Sequence, residues 1–209
     1  MSRGRHPLDW VAPLLVGVAA AMAAEVAVAM LIYAGEGFLR SLTTVLTIEG
    51  VALGMGLWSA PAPHPELVDR LRIRWVLCLV AFVAATGFGV AWSFVPALGT
   101  GPLGQAVGLT LLAAAPLFTC GGVLGGMTSV ARSADPGTLR EPGAAAALGA
   151  GVGFALTGLL LPRAPVPASL LVGCVVLLSG GGLVYGVVLG RRPELWTRLV
   201  PSFGVRWSF

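Results

Sequence analysis

The chain has no lysine, and charged residues of any kind make up only 11% of its 209 residues. A soluble globular domain carries about 25%, so there is too little charge to solvate a surface of this size. Cysteine is scarce as well. Cys78, Cys120 and Cys174 fall in three different apolar stretches, form no CxxC pair and, being odd in number, cannot all pair. They read as buried free thiols acting as small apolar residues. His6 and His64 are far apart, in flanking or loop segments, so neither a metal site nor a cofactor is expected. No serine–histidine–acid set and no HExxH motif occurs. The glycines at 180–182 lie inside an apolar stretch, where the strand–loop–helix unit of a phosphate loop cannot form. With these signatures missing, the chain is not expected to be an enzyme.

What is present is apolar. Hydrophobic residues make up 56% of the chain, and the mean hydropathy is +0.90. Six apolar stretches stand out, at residues 11–33, 39–58, 75–95, 104–130, 144–161 and 168–189. Each is close to the roughly 20 helical residues needed to cross about 30 Å of hydrocarbon. They leave no room for a soluble catalytic domain, and the longest connecting loop expected is 59–74. The sequence therefore predicts an all-α polytopic membrane protein. Residues 1–190 would form a domain of six transmembrane helices, and 191–209 a cytoplasmic amphipathic tail.

The arginines set the orientation. Arg3 and Arg5 precede the first stretch, and Arg70, Arg72 and Arg74 lie between the second and third. Arg132 and Arg140 lie between the fourth and fifth, and Arg191, Arg192, Arg198 and Arg206 follow the sixth. Six spans put these 11 on one face and leave only Arg40 and Arg163 for the other. Basic loops stay cytoplasmic, so both termini are expected inside (N-in/C-in), in a bacterial-type inner (plasma) membrane. The net charge of +4 is this bias, which suits an anionic leaflet. The expected partner is the lipid bilayer, not nucleic acid. The N-terminus has the arginines and small residues (Ala20–Ala24) of a signal peptide. Its apolar run continues past Glu25 to Tyr33, however, so an uncleaved first helix is expected.

Thirty glycines in a helical membrane protein call for a reason. Many fall four apart: Gly50 with Gly54, Gly121 with Gly125, Gly122 with Gly126, Gly149 with Gly153, and Gly182 with Gly186. This spacing lines one helix face and lets backbones approach closely. Pro116, inside the fourth span, removes a backbone donor and predicts a kink. Trp10, Trp58, Trp75 and Trp92 lie at span ends and are expected to mark the headgroup regions. In the tail, Leu195, Trp196, Leu199 and Val200 share a side. They suit a helix lying on the inner surface or a docking surface for another protein.

Two carboxyls fall where charge is expensive. Glu25 is in the first span and Glu49 in the second. An ionisable group near the bilayer centre costs about 2.5–3.5 kcal/mol on insertion scales. The first helix runs outward and the second returns, so both carboxyls are expected near the midplane. There they could bind a cation, relay a proton or recognise an amine, or else simply bond a neighbouring helix. Thr43, Thr44 and Thr47 precede Glu49 and can bond their own backbone. Gln105, near the outer end of the fourth span, is a weaker candidate.

Three stretches carry a resemblance: Glu25 through Gly56, ending GVALGMG; PLFTCGGVLGGMTSVAR, from Pro116 to Arg132; and LGAGVGFALTGLLLP, from Leu148 to Pro162. Together they resemble the membrane domain fused to spermidine synthase-like proteins, which is related in style to major facilitator transporters. The segment with Asp69, Arg70, Arg72 and Arg74 resembles the acidic–basic loop between the second and third facilitator helices. The chain has no aminopropyltransferase domain, Met30 stands where the family's arginine is expected, and Ala144–Ala147 replaces the asparagine or tyrosine usual before the third motif. The resemblance implies a transporter-like protein in which six helices form half a facilitator. The competing expectation is a non-catalytic membrane subunit or scaffold. The partners would be a second copy, as a homodimer, or other membrane subunits.

Overall fold

The computed structural model describes residues 8–59, 67–95, 98, 101–134 and 141–190. The helices are α1 (Leu8–Tyr33), α2 (Phe38–Trp58), α3 (Leu67–Phe94), α4 (Gly101–Leu109), α5 (Ala115–Ala134), α6 (Glu141–Leu160) and α7 (Leu170–Gly190). One π-helical turn, Thr110–Ala114, joins α4 and α5 into a single span. Six segments are long and apolar enough to cross a membrane: Trp10–Tyr33, Phe38–Trp58, Leu67–Phe94, Leu103–Arg132, Pro142–Arg163 and Pro167–Val187. The protein is thus an all-α, multi-pass membrane protein of six spans. The expected amphipathic tail and most of the arginines that set the expected orientation lie outside the described residues.

Two boundaries differ from the sequence reading. The third span begins at Leu67, well before Trp75, and takes up the second half of the expected 59–74 loop. Leu67, Val68, Leu71 and Trp75 repeat at helical spacing and are buried, while Asp69, Arg70 and Arg72 are exposed, so the charged segment is itself amphipathic helix. At about 1.5 Å per residue this helix outruns a bilayer core. In the fourth span the distortion falls just before Pro116. The proline has no N–H to give the Leu112 carbonyl. The preceding turn widens, and the Ala115 N–H reaches back five residues to Thr110.

The helices sort into two central and four flanking. In the first and fourth spans 72% and 56% of the core window is buried, against 22–28% in the other four. The pairing has a repeating logic. α1 packs mainly on α6 and α7, the fifth and sixth spans; α5, in the fourth span, packs mainly on α2 and α3. Exchanging the first three spans for the last three leaves this pattern unchanged. Successive spans alternate in direction, so spans one and four are antiparallel, and this is the packing pattern that an inverted repeat gives.

The two principal seams, α1/α6 and α2/α5, also cross in the same way. A Cβ at Gly17 would run into the Ala146 carbonyl, and one at Gly149 into the Leu14 carbonyl. A Cβ at Gly121 would run into the Leu53 carbonyl, and one at Gly56 into the Phe118 carbonyl. In each seam, each glycine thus lies over the carbonyl of the residue three before its partner glycine. Gly153 extends the first seam, with the Val18 carbonyl 2.6 Å from its Cβ position.

The other glycines singled out by four-residue spacing behave differently. Gly122, Gly126 and Gly182 leave room for side chains: Arg74 (3.4 Å), Leu71 (2.7 Å) and the Trp75 indole (2.7 Å). At Gly50, Gly54 and Gly186 an added Cβ would meet nothing within 4 Å. Spacing alone cannot tell which face of a helix meets a neighbour.

The tryptophans need a correction. Trp58 is 88% exposed, but Trp75 and Trp92 are buried at 7% and 1%. Because α3 starts early, Trp75 sits two turns inside it. Its N–H donates to the Leu178 carbonyl (2.9 Å), and its ring stacks on Tyr185. Trp92 packs edge-on to Phe88 and closes over Gly108.

Candidate functional site

The buried face of α2 is the stripe Ser41, Val45, Ala52 and Gly56. Glu49 falls on it, four residues after Val45 and three before Ala52, which is the same side of a helix. It is half-buried, and no side-chain partner is found for it among the described residues. It lies about 17 Å along the helix from Phe38, near mid-depth.

Glu25 lies about 12 Å from the Tyr33 end of α1. It is also half-buried, and it faces the Thr157 hydroxyl of α6. Thr157 is fully buried and donates to the Gly153 carbonyl at 2.9 Å. The hydroxyl proton is thus committed to its own helix. No interaction joins Glu25 to Glu49: one looks into the α1/α6 seam, and the other lies on the α2 stripe.

Polar groups cluster at both ends of α2. At its N-terminal end, Glu36 accepts from Gln105 Nε2 (2.9 Å) and pairs with Arg40 Nη1 (3.0 Å). These residues, with Ser41 and Thr44, line a crevice of about 70 Å³ whose apolar walls are Leu31 and Leu109. Ser41 is 1% exposed, and its hydroxyl has no hydrogen-bond partner among the described residues. The threonines divide. Thr43 and Thr47 bond their own helix, to the Leu39 and Thr43 carbonyls at 2.9 and 2.8 Å. No such bond is found for Thr44, which turns to the crevice.

At the C-terminal end of α2, Arg74 crosses from α3. It bonds the Ser59 carbonyl, the Ser59 hydroxyl (3.4 Å) and the Gly122 carbonyl (3.0 Å). Ser59 caps α2, so the cation sits where the helix exposes unpaired carbonyls. The space left by Gly122 admits the guanidinium to α5.

The thiols lie deep in the bundle. Cys78 and Cys120 sulfurs are 3.8 Å apart, and Cys174 lies 3.9 Å from both the Ala19 carbonyl and the Met22 sulfur. Their burial fits small apolar residues, although the contact between Cys78 and Cys120 could not be read from three separate stretches. Among the described residues no group of three or more potential ligands could hold a metal.

Glu36, Arg40 and Ser41 are the site residues that the sequence reading missed. The available signal was the four-residue spacing of Glu36 and Arg40, which brings opposite charges together across the start of α2. Comparison with known proteins adds nothing to this geometry: no family model, curated protein or solved structure matches the chain.

Proposed function

We propose that this chain is a transporter-like membrane protein handling a small cation, proton or amine, with Glu49 as the group that binds or relays it. The observation that carries this reading is Glu49 itself: a carboxyl near the middle of a span, on the bundle-facing stripe of α2, with no partner among the described residues to account for its cost. The inverted-repeat pairing supports it, because many secondary transporters are built from such repeats with their sites near the bilayer midplane. In this reading six spans form one half, two copies enclose the path, and both termini face the cytoplasm of a bacterial-type inner membrane. The close glycine crossings hold each half together.

The second reading, a non-catalytic membrane subunit or scaffold, draws on Glu25. Its pairing with Thr157 across the α1/α6 seam is what a structural carboxyl would do. Purified protein in proteoliposomes, challenged with a panel of cations and amines, separates the two. Cation or proton flux supports the first reading. A wild-type protein with no flux and a stable co-purifying chain supports the second.

A further inference from the structure

We propose that the crevice at the N-terminal end of α2 binds a small monovalent cation, an alkali metal ion or ammonium, on Glu36, Ser41, Thr44 and Gln105, with Arg40 as a tethered counter-charge that the ion displaces. The starting observation is Ser41. A hydroxyl buried to 1% with no partner among the described residues is expensive in any protein, and Ser41 is one of the residues that line the crevice. A ligand in the crevice would supply the missing partner, and the surrounding atoms define its chemistry.

Those atoms are mainly oxygen acceptors. Glu36 offers a carboxylate with about four lone-pair sites, of which Arg40 and Gln105 use one on each oxygen. Gln105 spends its NH₂ on Glu36, which leaves its carbonyl oxygen unspent. Ser41 and Thr44 add hydroxyl oxygens. Such a set suits a hard cation or an N–H donor. One carboxylate is too little charge for a divalent ion, whose sites draw on several carboxylates and carbonyls. The crevice, of about 70 Å³, has room for a small ion together with waters.

Arg40 supplies the exchange. Its side chain is 76% exposed, while its partner Glu36 is only 18% exposed. A guanidinium on the rim can swing into water, and an exposed ion pair of this kind contributes little. Its departure leaves Glu36 to the incoming ion. Binding here does not depend on transport, so it can be read on purified protein.

The test is thermal unfolding in detergent, titrating sodium, potassium or ammonium chloride against N-methylglucamine chloride at constant ionic strength. Bound ion stabilises the folded state by mass action. At least one small cation should raise the midpoint saturably, and which one does so separates alkali metal from ammonium. Glu36→Gln should abolish the response. Ser41→Ala should weaken the apparent affinity by about five- to tenfold without lowering the midpoint in N-methylglucamine, since it removes an unpartnered group. Arg40→Ala should tighten binding. Glu49→Gln should leave the response intact, which separates this site from the proposed transport carboxyl. The proposal is overturned if no small cation stabilises the wild type beyond N-methylglucamine, or if Glu36→Gln and Ser41→Ala respond as the wild type does.

Discussion

The α1/α6 and α2/α5 seams share one crossing and differ in what they carry. In both, paired glycines lie over the partner helix's carbonyls with the same three-residue offset. The α1/α6 seam is closed: its carboxyl, Glu25, meets the buried Thr157 hydroxyl. On α2 the carboxyl, Glu49, has no partner among the described residues, and polar clusters sit at either end of the helix, around Ser41 and around Arg74. The same backbone solution thus serves two ends. Under the proposed function the first seam is a spine, and the second holds the working carboxyl.

The largest effect is expected where backbone meets backbone. Gly149→Leu or Gly153→Leu forces α1 and α6 apart and should cost about 3 kcal/mol or more. Leu159→Ala, on an exposed position, should barely matter. Unfolding midpoints in detergent compare them, and a Gly153→Leu midpoint equal to wild type would mean that this seam meets lipid. Arg74→Ala comes next. It strips charged hydrogen bonds from the Ser59 and Gly122 carbonyls and should cost roughly 2 kcal/mol, read in the same assay. Thr157→Val removes the partner of Glu25 and should cost about 1 kcal/mol; a larger loss of flux than of stability would move Glu25 from spine to site. Gly54→Leu should stay within about 0.5 kcal/mol of wild type, because nothing lies within 4 Å of its Cβ position. If it instead breaks a dimer in size-exclusion chromatography, that open face of α2 is where two copies meet.

Orientation sharpens the comparison, since the two ends of α2 should open to opposite sides. Cysteines introduced at Ser2 and Ser208 should label only from the cytoplasmic side of intact cells, as the 11 to 2 arginine split requires. Labelling of either from outside would overturn this topology; labelling of both would exchange the membrane sides of the Ser41 crevice and the Arg74 cluster.

The spans were legible because the requirement behind them is simple. Twenty apolar residues cross a bilayer, and hydropathy records that directly. The start of α3 was less legible, because charges at Asp69, Arg70 and Arg72 lower hydropathy while the helical spacing of Leu67, Leu71 and Trp75 continues underneath. Glycine spacing found Gly149 and Gly153 but not Gly17 or Gly56, whose four-residue partners are alanines, Ala21 and Ala52. Glu25 and Glu49 stood out as charges in apolar runs, and both fall well inside their helices. That they point into different surroundings depends on helix pairing, which no local pattern encodes. Ser41 was invisible for the same reason. A serine near a helix start carries no signal until its surroundings show that nothing bonds it.

Glu49→Gln and Glu25→Gln, compared side by side in proteoliposomes for cation and proton flux, test the central claim most directly. Glutamine keeps shape and hydrogen bonding but cannot ionise. The account expects flux in wild type, its loss in Glu49→Gln, and its survival in Glu25→Gln, with all three proteins folded and assembled alike. Equal flux in Glu49→Gln and wild type would contradict it, and so would the absence of any wild-type flux across the cation and amine panel.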